Sequence, residues 1–178
     1  MTMKKIVILV LLSIGLCSCD KIDDLTKFDL DYTTQYTIAS GSILDVPFDV
    51  LTPEVTTDSE SEFESNDTRK DLIESIKLKK LTLNLKTPVS GNFNFLNEIT
   101  IFIKADGLPE QVIASASDIP EDNLRSIDIE TENVELKAYI KKDSYSLRVR
   151  TTTDRIISED HEIDIRTVFR VDAKILGI

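Results

Sequence analysis

From Phe28 to Ile38, apolar and polar positions alternate. Phe28, Leu30, Tyr32, Tyr36 and Ile38 share one parity, and Asp29, Asp31, Thr33, Gln35 and Thr37 share the other. Period two sustained this long predicts a half-buried strand. Ala39-Ser40-Gly41-Ser42 reads as a turn, after which Leu44, Val46, Phe48 and Val50 alternate with Asp45, Pro47 and Asp49. Pro47 cannot donate to a ladder, so this second strand is expected at a sheet edge. Between Thr52 and Thr68 the apolar residues nearly vanish while carboxylates accumulate over 54–67, which predicts an acidic loop. A helical turn is expected over Arg69 to Ser75, capped by Asn66, Asp67 or Thr68.

The parity of the apolar positions then changes. Ile76 and Leu78 are even, Leu81, Leu83 and Leu85 are odd, and a β-bulge at Lys79-Lys80 would keep all five on one face. Thr87-Pro88-Val89-Ser90-Gly91 is turn chemistry. Phe93, Phe95, Leu96, Ile99, Ile101 and Ile103 form the densest apolar cluster and mark the expected centre of the core. A turn at Asp106-Gly107-Leu108-Pro109, a short strand from Gln111 to Ala114 and a loop over Asp118 to Asp122 follow. Leu124, Ile127 and Ile129 predict another strand. Thr131 to Lys142 alternates like a strand but has acids early and bases late, as a helix prefers, and charge order selects a short helix capped by Thr131. Tyr145, Leu147, Val149 and Thr151 predict a strand, and Ile163 to Ile175 predicts the longest one, its outer face mixing charges of both signs as cross-strand ion pairs would.

Eight or nine strands, frequent turns and at most two short helices predict an all-β chain, an antiparallel β-sandwich of immunoglobulin-like or jelly-roll-like build, with a closed barrel as the alternative. A polar outer face opposes a transmembrane barrel, whose lipid-facing side would be apolar.

The first residues follow different rules. Lys4-Lys5, an apolar run from Ile6 to Leu16 and Leu16-Cys17-Ser18-Cys19 have the layout of a secretory signal. At about 1.5 Å per residue the apolar run covers only about half of a ~30 Å hydrocarbon core, too little for a spanning helix. Leu16-Cys17-Ser18-Cys19 resembles the bacterial lipobox, with Ser18 as the small residue before the acceptor Cys19. Cys17 is the competing acceptor, but Leu16 is bulky for the position before cleavage. The resemblance implies a cleaved signal over residues 1–18, lipid on Cys19, a tether over 19–27 and one domain over 28–178. Several acyl chains on Cys19 would suffice for stable anchoring. The acidic Cys19-Asp20-Lys21-Ile22-Asp23-Asp24 partly resembles the surface-export signals of Bacteroidota lipoproteins, so a cell-envelope location in the outer membrane is expected, surface-exposed in preference to periplasmic. The short tether reaches at most roughly 26 to 29 Å, keeping the domain close to the membrane.

Composition narrows the functions. Of 178 residues, 32 are acidic and 21 basic, for a net charge of −11; removing Lys4 and Lys5 with the signal leaves 19 bases and −13. Such a chain is repelled by nucleic acid, which is excluded as a partner. If Cys17 is cleaved away and Cys19 acylated, the domain has no thiol, which removes disulfides, cysteine-ligated zinc and a cysteine nucleophile.

The remaining candidates for chemistry are sparse. His161, the one histidine, lies between Asp160 and Glu162 and reads as a surface residue at a turn. No Gly-x-Ser-x-Gly accompanies it, and a lone histidine does not make a zinc site. The 54–67 acidic segment lacks the glycine and ligand order of a calcium loop, which favours a solvated excursion over a cation site. Asp29 with Asp31, and Asp164 with Asp172, share strand faces, but acid pairs arise by chance in so acidic a chain, and tryptophan is absent. No catalytic, cofactor or metal residue is assigned; Cys19, as the lipidation site, is the one site residue. The general build resembles small Bacteroidota envelope β-sandwich lipoproteins. The expected function is a non-enzymatic, membrane-anchored protein that binds or scaffolds another surface protein or glycan. The alternative is a carrier holding an apolar ligand inside the sandwich, lined by Phe93, Phe95, Phe102 and Phe169.

Overall fold

The computed structural model describes residues 26–41 and 45–174. The signal segment, Cys19 and all but the last residues of the tether lie outside them, as do Ser42, Leu44 and Ile175 of the expected turn and strands.

The described residues form nine strands: β1 (Lys27–Ile38), β2 (Phe48–Leu51), β3 (Val55–Thr56), β4 (Ile73–Thr87), β5 (Leu96–Lys104), β6 (Gln111–Ala116), β7 (Ser126–Thr131), β8 (Ser144–Thr153) and β9 (His161–Ala173). All pairings are antiparallel. One sheet runs β1-β9-β4-β7 and the other β2-β8-β5-β6, with the two-residue β3 extending the β2 edge along β8. Except at the β5–β6 hairpin, successive strands of these eight lie in opposite sheets. That winding is a jelly roll, one of the two sandwich types expected. The sheets join on one side through two residue pairs of β6 and β7, Ala114 with Thr131 and Ser115 with Glu130. On the other side the outer strands β1 and β2 remain unpaired with each other, and the Tyr32 hydroxyl donates to the Thr57 carbonyl across the seam at 2.8 Å. The barrel is therefore open, and the sandwich reading holds.

The core lies where the alternation places it. The even-numbered apolar residues of β1 and the odd-numbered ones of β5, β8 and β9 point inward, and Leu83, Ile101, Ile103, Leu147, Val149, Ile165 and Phe169 are fully buried. Tyr145 of β8 meets Phe169 of β9 edge-on at 6.0 Å between ring centroids, and its hydroxyl lies 3.2 Å from the Thr167 hydroxyl, so the two sheets touch directly. The bulge expected at Lys79-Lys80 is present: Leu78 pairs with Phe169 and Lys80 with the adjacent Val168, so Lys79 is the extra residue that changes the inward parity. β2 is an edge strand that begins immediately after Pro47.

Three expectations need correction. The acidic segment is not a loop throughout: it holds β3 and a two-turn helix, α1 (Ser59–Ser65), whose Phe63 is fully buried and meets Phe28 edge-on at 6.3 Å. Glu60 and Glu62 occupy its first turn, where the helix dipole favours them. The expected helical turn after it is a single 3-10 turn, Lys70–Leu72, preceded by Arg69 with no side-chain cap. Between 131 and 142 a helix does form, but only as α2 (Lys137–Ile140), and Thr131 is its distant predecessor in β7 rather than its cap. Glu135 organises this stretch instead: its carboxylate accepts the Ile76 and Lys137 N–H groups, each at 2.9 Å, and the Ser75 hydroxyl at 2.7 Å.

The charged outer faces are paired as expected. Asp29 bridges Arg170 and Lys79, Asp31 takes Arg166, and Asp164 and Asp172 take Lys86 and Lys27, so both suspected acid pairs are engaged in cross-strand ion pairs. On the other sheet Arg148 stacks 3.8 Å from the Phe102 ring centre and contacts Glu110 and Asp49. Phe102 is thus an outer-face residue, unlike the buried Phe93, Phe95 and Phe169, and does not line the interior.

These contacts set the pH range of stability. Arg150 and Arg148 hold the Asp49 carboxyl below its ordinary range, and Arg148 does so for Glu110. Burial pushes Asp29 and Glu135 up, but the Arg170 and Lys79 contacts and the backbone N–H donors outweigh it and leave both low. Their ionised forms favour the fold, so this stabilisation is complete above the unfolded carboxylate range near pH 4 and is lost as pH falls through the lower folded values. Burial pushes the Tyr32, Tyr36 and Tyr145 hydroxyls up, so their neutral forms favour the fold up to the unfolded value near pH 10, and that contribution is lost as pH rises further. A thermal melting series should show a plateau between about pH 5 and 9 that falls on both sides; a midpoint rising between about pH 5 and 3 would contradict the ion-pair assignment.

Candidate binding surface

A jelly roll sorts its connections by end. The β1–β2, β4–β5, β6–β7 and β8–β9 loops share one end, and Gly41 N–H to Ile157 O (3.0 Å), Phe93 N–H to Leu124 O (2.9 Å) and Asp154 N–H to Phe95 O (3.2 Å) join them pairwise. The opposite end holds α1, α2 and the β5–β6 turn, together with Thr26, whose carbonyl accepts the Ala173 N–H at 3.0 Å. Twelve residues of β1 at about 3.4 Å each put about 40 Å between the start of that strand and the loop end.

Among the described residues, each of the four loops carries one exposed large aliphatic side chain. They are Val46 (48 % exposed), Val89 (84 %), Leu124 (47 %) and Ile156 (72 %). Among the described residues the fifth exposed large apolar side chain, Leu51, lies on the edge strand β2. A single exposed aliphatic is ordinary; one on each of four converging loops is a pattern.

The loops are braced rather than slack. Arg125 has no carboxylate partner among the described residues and donates instead to backbone carbonyls of the β4–β5 turn, Pro88 (2.8 Å), Val89 (2.6 Å) and Gly91 (2.7 Å), and of the end of β4, Leu85 (2.7 Å) and Lys86 (3.2 Å). Gly91 is required there, because a Cβ would come within 2.9 Å of Pro88 Cγ and 3.0 Å of Leu85 Cδ2. The Asn123 side chain accepts from the Asn92 and Asn94 amides, and the Asn123 N–H returns a bond to Asn94 Oδ1 at 2.9 Å, fixing the backbone beside Leu124. Arg155 pairs with Glu121, linking the β8–β9 and β6–β7 loops. Asp160 accepts the Ser40 N–H at 2.8 Å, a bond that holds its carboxyl below the ordinary range. Anchored in this way, the four aliphatics are presented at little ordering cost to a partner.

His161 is not at the surface. It opens β9 with its ring buried edge-on against Phe95 at 4.6 Å, and Nδ1 lies 2.8 Å from the Glu159 carbonyl. Its odd number, shared with Ile163 and Ile165, was the available signal; the acids on either side concealed it. The structure brings no nucleophile to His161 among its hydrogen-bond partners, and among the described residues no group of three or more His, Cys, Asp or Glu side chains is placed to hold a metal ion. Cys19 lies outside the described residues.

Periodicity does not mark the apolar loop positions as exposed: Val46 and Leu124 read as strand positions, but β2 begins only at Phe48 and β7 at Ser126. Val89 sits inside the Pro88–Gly91 turn, Ile156 beside the buried Ile157, and Leu124 precedes β7 rather than opening it.

No protein-family model matches the chain, and no curated protein matches it. Among solved structures, a chain of Desmodium yellow mottle tymovirus aligns over 85 % of this chain and 91 % of its own at 13 % identity, with a TM-score of 0.29. A chain of turnip yellow mosaic virus aligns over 85 % and 98 % at 11 % identity, with a TM-score of 0.27. At those scores neither bears on the fold or the function of this chain.

Proposed function

We propose that this chain is a non-catalytic lipoprotein of the cell envelope, held in the outer membrane through lipid on Cys19, that binds another surface protein through the loop end of its jelly roll. The observation that carries the reading is the set of four exposed aliphatics, Val46, Val89, Leu124 and Ile156, one on each braced loop. Full burial of one such side chain contributes about 1.5 to 3 kcal/mol, less than the cost of association, so the four act together or not at all. The loop end lies about 40 Å along β1 from Thr26, so a tether ending there leaves these loops facing away from the lipid.

The chemistry selects a protein over the other surfaces an envelope offers. Asp45, Asp118, Asp122, Asp154, Glu159 and Asp160 lie on three of the same four loops, so anionic headgroups are repelled. Aliphatic tips also lack the ring faces on which sugars stack. A partner with an apolar patch rimmed by lysine or arginine is complementary to this end. Site-specific photocrosslinking in the native envelope tests the reading: probes at Val89 and Ile156 should capture the same protein, and capture from neither would overturn it.

A further inference from the structure

We propose that the gap between β6 and β7, beside the loop end, receives an extended lysine- or arginine-bearing segment of the partner protein, which adds to β7 as a strand. The inference rests on the partner-binding reading above and assigns it a second contact. β7 pairs with β6 only at Glu130 and Thr131, while Ser126, Ile127, Asp128 and Ile129 pair with β4 alone. β6 ends at Ala116, and the chain then turns away toward β5, where the Ile119 N–H bonds the Asn97 carbonyl at 3.3 Å. Among the described residues no strand lies along that flank of β7. In an antiparallel ladder each residue directs both backbone groups to one neighbour, so two of these four residues address the gap.

Side chains do not fill the gap. A cleft of about 290 Å³ opens there, walled by Ile119, Pro120, Leu124, Ile127 and Ile129. It is too small for a folded element and suits alternate side chains of one extended segment. A second hollow of about 470 Å³ shares Ala116 and Ser117 with it and carries Glu98 and Glu130. Asp128 is paired with Lys80 and Glu121 with Arg155, but no ion pair engages Glu98, Glu130, Asp118 or Asp122 among the described residues. A strand whose apolar residues enter the cleft would turn its alternate residues toward Glu98 and Glu130, and bases at those positions match them. A fatty acid would bring its carboxylate among these acids, which disfavours a lipid in the cleft.

The test uses the intact lipidated protein in zwitterionic nanodiscs and an end-blocked octapeptide alternating valine and lysine. Fluorescence anisotropy should show it binding at least about tenfold tighter than its valine–glutamate counterpart, with added salt weakening it, and hydrogen exchange should slow across 126–131. The exposed double charge reversal Glu98→Lys/Glu130→Lys should invert the preference, while Leu51→Ser on the distant edge strand β2 should leave it unchanged. Equal binding of the two peptides, protection elsewhere, or indifference to the charge reversal would overturn strand addition; so would uptake of fluorescent palmitate with protection of the same segment, which points to a lipid cleft. If the peptide fails while Val89 and Ile156 still crosslink a partner, this inference falls alone; if the crosslinks are missing as well, the partner reading falls with it.

Discussion

Replacing Phe63 with alanine is expected to destabilise the domain by about 3 to 5 kcal/mol, although it is the only aromatic in the acidic stretch 54–67. Phe63 is fully buried against Phe28 at the foot of β1, and the Asn66 and Thr68 N–H groups both close onto its carbonyl, at 3.1 and 3.0 Å. Truncation opens a cavity where α1 meets the sheets and removes the one apolar anchor of a helix too short to persist alone. For a domain of this size the loss corresponds to a melting shift of roughly 6 to 20 °C. Glu62→Ala, one residue away and exposed, should change stability by no more than about 0.5 kcal/mol. Urea denaturation of the two variants separates a structural helix from a solvated acidic loop: equal midpoints would show that α1 carries no weight.

Cys19→Ala should release the protein from the membrane. One myristoyl-length chain binds bilayers only marginally, whereas two or more give stable attachment, so losing the acceptor removes the whole anchor. The sequence's net charge of −11 is repelled by anionic headgroups, and among the described residues no helix is long and apolar enough to cross a membrane. The membrane-bound fraction should fall by roughly a hundredfold or more, with loss of the lipid mass from the protein. Cys17→Ala should leave both unchanged. A Cys19→Ala protein that stays in membranes with its lipid mass would show that the anchor lies elsewhere.

The sheets were legible because alternation reports directly on which face of a strand is buried. That signal located β1, β8 and β9 almost to the residue, and the parity change at Lys79-Lys80 located the bulge in β4. It could not order the strands, since Leu83 or Val149 pairs equally well by pattern with several neighbours; the jelly roll emerges only from the pairing itself. Short helices were illegible for a related reason: α1 has one buried aromatic, Phe63, and a single apolar residue defines no period. His161 reads as a surface residue because Asp160 and Glu162 outweigh its parity. The loop end was least visible, because Val46, Val89, Leu124 and Ile156 are scattered across 110 residues of chain and meet only through topology.

Photocrosslinking from both ends of the domain tests most directly whether the protein is anchored at one end and binds at the other. Probes would be placed at Val89 and Ile156 on the loops and at exposed Asp143 beside α2, in otherwise native envelopes. The account predicts one protein adduct of the same mass from Val89 and Ile156 and none of that mass from Asp143; adducts from Asp143 alone, or none from the loops, would contradict it.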